Sequence, residues 1–289
     1  MLAALHRARA DVYIQESAGL ETAITAFYCR LMRRKFVYRV ASTIECTNEI
    51  TQRFPIIGRI FLWGLFQADA VITEDQEEVD LLAKRHQIQA RAIYDTTPIP
   101  ERATIVPSDQ RRHTLWVGRM VPLKQAEVFI ELARRFPHEH FVLVAPPDPH
   151  NPSYTEKITQ SVVNLKNLEY IPGVRHYLLD EYYRYAKIFI NTSEYEGYPN
   201  TFIEAGKYGV PIVSLQVNPD HLFDQEKYGL VADGQREPFY QLFSSLVSDV
   251  ERRTKMGNDF RLYVETTNDM RKNIFHYLNV FEELLPVAK

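Results

Sequence analysis

From Asp11 to Asp95 short runs rich in β-branched and aromatic residues alternate with segments whose apolar residues recur at helical spacing. DVYIQE, KFVYRVAS, DAVITED and ARAIYD predict strands, and GLETAITAFYCRLMRR, the stretch from Ile56 to Phe66 and the segment through Leu82 predict helices between them. Such alternation implies parallel strands joined by crossover helices. The pattern breaks at DTTPIPERATIVPSDQRR, where Pro98, Pro100 and Pro107 read as a linker. It then restarts with HTLWVGR, HFVLVAP, NLEYIPG, KIFINTS, PIVSLQV and GLVADG, separated by helices from about Lys124 to Arg135, up to about Leu165, around Leu178 to Tyr185, and within the stretch that follows KIFINTS. Two further helices follow. The chain closes with DMRKNIFHYLNVFEELL, whose Ile274, Tyr277, Leu278, Phe281, Leu284 and Leu285 share one helical face. The fold class is therefore α/β, with a complete doubly wound domain over 109–268, a domain of only four strands over 1–108, and a closing helical segment over 269–289.

A chain of 289 residues is long enough for two cores, and 45% hydrophobic with 25% charged residues belongs to a globular protein. The 34 basic residues are spread among 37 acidic ones, leaving a net charge of -3, so nucleic acid is not an expected partner. Cys29 and Cys46 make neither a disulfide framework nor a metal site, which fits a reducing cytoplasm. The opening MLAALHRARADVY lacks the apolar core and cleavage site of a signal peptide. No run is long enough to span a bilayer. FPIIGRIFLWGLF, from Phe54 to Phe66, is apolar and aromatic around a single arginine; a peripheral contact with the inner face of a membrane and a buried helix edge are both open to it.

In open parallel sheets ligands sit beyond the carboxyl ends of the strands, which directs attention to three loops. In GRMVPLKQ, Gly118 permits a tight exit from the strand, and Arg119 and Lys124 place two cations beside a helix start, an arrangement suited to a diphosphate. Solvated surface cations are the plainer reading. In IPGVRHYLLDEYY the turn at Pro172 and Gly173 presents backbone near Val174 that could read the edge of a planar ring, or simply connect strand to helix. In EYEGYPNTFIEAGKYGVP, Pro199 suits a first helical position and leaves the NH groups of Asn200 and Thr201 free to face an anion. Gly197 allows close backbone approach, while Glu196 and Glu204 could each accept from the hydroxyls of one extended ligand. The competing reading pairs Glu204 with Lys207 and leaves Glu196 in solvent. Paired carboxylates also occur in glycoside hydrolysis, where they must flank a scissile bond.

Taken together and in this order, VGRMVPLKQ, PGV and EGYPNTFIEAGKYGVPIVS, with seven residues between its two glutamates, resemble the retaining nucleotide-sugar glycosyltransferases of GT-B fold, family 4. The likeness is close over about 109 to 265 and looser over ADVYIQESAGLETAITAFYCRLMRRKFVYRVAS, which looks like the later half of the family's acceptor domain. It implies two Rossmann-like domains with the amino-terminal one incomplete, and a last helix that crosses back to the first domain. It also implies that Arg119 and Lys124 hold the donor diphosphate and that Glu196 contacts the transferred sugar. Glu204 would accept from the ribose, Gly197, Tyr198 and Pro199 would support the sugar, Asn200 and Thr201 the phosphate, and the backbone by Gly118 and Val174 would line the donor site. The implied substrates are a nucleotide sugar and a glycan or lipid-linked acceptor. No Asp-x-Asp occurs in the chain, in keeping with a family that requires no metal or other cofactor.

Family members place a strand, a glycine-rich loop and further βα units ahead of the segment that corresponds to ADVYIQE, whereas here Met1 lies ten residues before it. The loop after KFVYRVAS, where relatives carry a histidine or an acid near the reacting sugar, reads TIECTNE, with Ser42, Glu45 and Glu49 as candidates. A rival reading follows: a non-catalytic or partner-dependent relative that binds the nucleotide sugar and takes its acceptor site from another chain. Exposed strand edges would likewise invite a partner chain or a second copy. A phosphorylase or hydrolase on the same scaffold is the third reading.

Overall fold

In the computed structural model, which describes residues 1–285, ten strands form two wholly parallel sheets, one of four strands and one of six. Two units divide the chain: Met1–Thr96 together with the segment beginning at Met270, and Thr97–Asp269.

In the first unit α1 (Leu2–Ala8) precedes β1 (Val12–Glu16), and α2 (Leu20–Met32) leads to β2 (Lys35–Arg39). Next, α3 (Glu49–Arg53) and α4 (Pro55–Leu65) lead to β3 (Ala70–Thr73), and α5 (Gln76–His86) to β4 (Ala90–Ala92). The strands lie side by side in chain order. Phe36, Val37 and Tyr38 of β2 are all buried, so a strand covered on both faces reads as a continuous apolar run. The start of α5 is fixed locally: Asp75 caps it by accepting from the Glu78 NH at 2.8 Å, and Lys84, Arg85 and His86 complement the dipole in its last turn.

The second unit runs β5 (His113–Val117), α6 (Ala126–Arg135), β6 (Phe141–Val144), α7 (Pro152–Val162), β7 (Leu168–Ile171), α8 (His176–Arg184) and β8 (Ala186–Asn191). It continues through α9 (Asn200–Lys207), β9 (Ile212–Ser214), β10 (Gly229–Val231), α10 (Arg236–Ser248) and α11 (Val250–Thr267). The strand order is β10-β9-β8-β5-β6-β7, so the chain winds outward from β5 to β7, returns, and winds outward again on the other side from β8. A core of Phe129, Phe141, Leu143, Ile188, Ile190 and Phe243 fills the space between this sheet and its helices.

Two expectations change. The proline-rich stretch does not belong with the first domain, because residues 97–108 count with the second unit. Thr97 bridges to Asp269, and its NH donates to the Asn268 carbonyl at 2.9 Å. Arg111, buried to 6% exposure, straps the end of the stretch by donating to the carbonyls of Val106, Ala186, Tyr208 and Gly209. In α12 (Met270–Leu284), which belongs to the first unit, the buried seam is turned from the expected face. Val280 packs against Val37, Ile72 and Ile93 together with Tyr277, Phe281 and Leu284, while Ile274, Leu278 and Leu285 are exposed. Two polar contacts set this rotation: the Tyr277 hydroxyl accepts from Arg39 at 3.1 Å, and the Asn273 amide donates to the Tyr94 carbonyl at 3.2 Å.

Beyond β3 the Glu78 side chain is fully buried, accepting from the Glu74 NH at 3.0 Å and from the Thr43 hydroxyl at 3.4 Å. Burial, with Asp75 beside it, pushes its carboxyl up to about 8. A carboxyl raised in the folded state stabilises the fold below the ordinary carboxylate range and loses that contribution as pH rises through its folded value. Stability should therefore fall between about pH 5 and about pH 8 with a slope of up to about 1.4 kcal/mol per pH unit from this group. Urea unfolding across that range should show a shallower fall for Glu78→Gln than for the wild type.

Candidate active site

The reversal of winding occurs between β5 and β8, adjacent strands whose following connections leave toward opposite sides. Their exit loops border the crevice where doubly wound sheets take ligands. Both loops are stitched together. The Trp116 indole donates to the Thr192 hydroxyl at 2.9 Å, and that hydroxyl donates to the Lys124 carbonyl at 2.6 Å. The Glu194 NH donates to the Leu123 carbonyl at 3.0 Å, and the Gln125 amide reaches the Glu194 carboxylate at 3.0 Å. Gly118 is required because a Cβ there would stand 2.8 Å from the Trp116 ring; its role is room for the indole.

These contacts bring Lys124 and Glu196, far apart in sequence, into an ion pair of 2.5 Å with side chains 18% and 15% exposed. The second oxygen of Glu196 accepts from the Asn191 amide at 3.0 Å. The glutamate expected in solvent by the plainer reading is thus held by a cation and an amide. Lys124 ends a short turn of 3-10 helix, and Gln125, with φ of 46°, re-aims the chain so that α6 starts at Ala126. Arg119 is exposed and has no carboxylate partner among the described residues. Across from it, the Asn151 amide and the His150 NH, with Arg119 as a weaker contributor, hold the Asp148 carboxyl below its usual range.

Pro199 caps α9 with extended backbone and lies one position before the helix, so Asn200 and Thr201 are its first two residues and lack intrahelical acceptors for their NH groups. Gly197 forms a bend beside buried Tyr198, whose hydroxyl is 3.3 Å from that of Tyr263. Val174 is half-buried in the connection between β7 and α8. Gly173 before it has φ of 101° and a Cβ there would come 3.0 Å from Pro146, so the loops after β6 and β7 meet where only glycine fits.

Glu204 has other partners. Its carboxylate pairs with Lys207 at 2.5 Å and accepts from the Thr97 hydroxyl at 3.2 Å. The Lys207 ammonium, 4% exposed, also meets Asp180 at 2.9 Å. Tyr183 lies fully buried nearby, its hydroxyl without a partner among the described residues and its pKa driven far up by burial, then by Glu204 and Asp180. The two glutamates therefore each have their own cation, and the competing reading was right for Glu204. Lys207 was legible at helical spacing from Glu204, but Asp180 and Thr97 carry no sequence signal that points to them, and Asn191 none beyond its place at a strand end. A cavity of about 630 Å³ lined by Arg102, Pro107, Arg111, Gly209 and Asp259 adjoins residues that precede β5 and β9, at the sheet end away from these loops. In the first unit, the Glu45 carboxylate is spent on the Tyr38 hydroxyl at 2.7 Å and the NH groups of Ala18 and Ala41, both at 3.1 Å. Ser42 is half-buried and Glu49 exposed at the start of α3.

The family model described as Glycosyl transferases group 1 matches residues 100–262. No curated protein sequence matches the chain. Sucrose-phosphate synthase from Thermosynechococcus elongatus superposes with a TM-score of 0.81 at 18% identity, covering 99% of this chain and 77% of that one. HepE of Anabaena, solved in complex with UDP, gives 0.81 at 14% identity over 98% of this chain and 82% of its own. A mutant of TarM from S. aureus, solved with Fondaparinux, alpha-GlcNAc-glycerol and UDP, gives 0.77 at 16% identity over 97% of this chain and 58% of its own. The α/β fold with two parallel sheets is that of these GT-B glycosyltransferases.

Replacing Lys207 leaves the half-buried Glu204 carboxylate without its cation. Lys207→Met should lower the free energy of unfolding by about 3 kcal/mol, and Glu204→Gln in the same background should recover part of the loss, both measured by urea denaturation.

Proposed function

The chain belongs to the glycosyl transferases group 1 family, and from that premise we propose that it moves a sugar from a nucleoside-diphosphate donor to a glycan or lipid-linked acceptor with retention of anomeric configuration. The observation that carries this reading is the Lys124–Glu196 contact of 2.5 Å at the switch point of the second sheet. It supports the reading by holding a cation, which would face the departing phosphate, next to a carboxylate, which would take the hydroxyls of the sugar.

In this reading the donor diphosphate rests against Arg119, Lys124 and the first-turn NH groups of α9. As the anomeric carbon parts from the phosphate oxygen, negative charge grows on the diphosphate, and fixed cations and NH dipoles at that point lower the barrier. The acceptor hydroxyl approaches on the face the phosphate leaves. Its oxygen bonds to the anomeric carbon and its proton passes to the departing phosphate oxygen. Glu204 takes the ribose hydroxyls: each of its oxygens has one protein partner, and a carboxylate offers about four acceptor positions in all. Backbone at Gly118, Val174 and Gly197 to Pro199 lines the donor. No metal or other cofactor is required, because the two cations take the place a divalent ion would have on the diphosphate. The buried free thiols of Cys29 and Cys46 suit a reducing cytoplasm.

A panel of nucleotide sugars, headed by uridine nucleotides because HepE and TarM were solved with UDP, should contain one that raises the melting temperature. With that donor, Arg119→Ala and Lys124→Ala should each cut turnover on the order of 100-fold or more with unchanged circular dichroism, and Glu204→Gln should raise the donor KM. NMR of the product reads the anomeric configuration. Wild-type rates in both cation variants would remove the mechanism, and nucleotide binding by the wild type without turnover would favour a non-catalytic, partner-dependent protein.

A further inference from the structure

Helices α2 and α4 are apolar on two faces each. Their inner faces are accounted for by Ala26 and Cys29 of α2 and Phe61 and Leu65 of α4, all at most 2% exposed. They cross so closely that a Cβ on Gly64 would stand 2.8 Å from the Ala23 backbone. The outer faces are apolar as well. On α2, Leu20, Ile24, Phe27 and Leu31 recur at helical spacing, with Phe27 at 54% and Leu31 at 68% exposure. On α4, Ile56, Ile60 and Trp63 do the same, at 77%, 36% and 44% exposure. Phe54 and Phe66 flank α4 and are also exposed. Neither the core nor the proposed chemistry needs this second face. So many exposed apolar side chains on two helices packed against each other mark a docking site.

The charges around it identify what docks. The segment from Arg53 to Phe66 holds two arginines and no acid, and that from Leu20 to Lys35 holds four cations against the single Glu21. Arg30, Arg33, Arg53 and Arg59 have no carboxylate partner among the described residues, whereas Arg34 and Lys35 are paired with Asp11 and Asp69. A second copy of this chain would set these arginines against their own counterparts, because a two-fold interface brings identical patches together. An anionic lipid surface answers both features: it takes the arginines at headgroup level and the aliphatic side chains and Trp63 just beneath. No described helix is long and apolar enough to cross a bilayer, so the contact lies in the plane of the interface.

We propose that the joint outer face of α2 and α4 is a docking surface for membranes that carry anionic lipid. The proposal is independent of which donor or acceptor the chain uses. Its test is co-sedimentation of the full chain with phosphatidylcholine vesicles, with and without phosphatidylglycerol. The chain should partition to the phosphatidylglycerol vesicles and be released by salt. Arg53→Gln combined with Arg59→Gln should lower the partition coefficient on the order of tenfold, and Ile56→Ser, Ile60→Ser and Trp63→Ser together should abolish it with circular dichroism unchanged. Of the two tryptophans, Trp116 is 2% exposed. A blue shift of emission on vesicle addition therefore reports Trp63 and should vanish in Trp63→Phe. The proposal fails if the chain stays in the supernatant with phosphatidylglycerol vesicles or if the arginine variant binds as the wild type does. It also fails if light scattering shows an oligomer that the serine variant dissolves, since self-association would then own the face.

Discussion

Two neighbouring parallel strands whose following helices depart to opposite sides leave a gap over their carboxyl ends, because neither crossover can cover the ground between them. In the second sheet that gap falls between β5 and β8. Residues separated by most of the unit's winding are thereby forced into one crevice: the loop that begins at Gly118 and the loop that begins at Thr192. Side-chain chemistry then refines what topology supplies. Hydrogen bonds through Thr192, Glu194 and Gln125 lock the loops, and only with the loops locked can the Lys124 ammonium and the Glu196 carboxylate meet at 2.5 Å. The sheet of the first unit, with its strands in simple chain order, has no such gap.

Buried acids are handled in two ways. In one, an acid is matched to a cation, as Glu196 is to Lys124 and Glu204 to Lys207. The desolvation of each charge is then offset by its oppositely charged partner. In the first unit Glu45 and Glu78 are buried with hydrogen-bond donors but no cation in contact, and burial raises both pKa values. Such groups hold loops together; they are poorly placed to serve as charged ligands for a sugar. Arg111 shows the reverse case, a buried guanidinium satisfied by carbonyls alone, its pKa lowered to about 10 by burial and then by Arg253.

The fold was largely legible because a strand buried on both faces and a helix with one apolar face leave different periods in a sequence, and the two alternate from β1 to β4 and from β5 to β9. The residues meeting at the crevice were legible in part. A glutamate after a strand and a lysine before a helix are visible signals, and the spacing of Glu196 and Glu204 suggested one shared ligand. The pairing of Glu204 was not decided by spacing, since Lys207 lies within reach on the same helix while Asp180 and Thr97 arrive from distant segments by tertiary packing. Glu45 was a candidate because relatives of the resembled family carry a histidine or an acid in that loop, yet Tyr38 reaches it from the strand behind and the NH groups of Ala18 and Ala41 donate to it. The seam of α12 was misjudged because periodicity counts only apolar residues, and here Asn273 and the Tyr277 hydroxyl set the rotation.

The Glu204 cluster ties together the two ends of the second unit. Thr97, at the point where the chain enters the second unit, donates to Glu204 through its hydroxyl and to Asn268 through its NH, and Asn268 lies where the chain prepares to leave. Under the proposed function, a ribose hydroxyl arriving at Glu204 would share the carboxylate with the Thr97 hydroxyl or displace it. Lys207, itself paired with Asp180, holds one oxygen of that carboxylate and would limit such a rearrangement to the other. The buried Tyr183 hydroxyl beside this cluster has no partner of its own among the described residues. Lys207 thus gives the Glu204 carboxylate a fixed position, the one from which, under the proposed function, it would receive the donor.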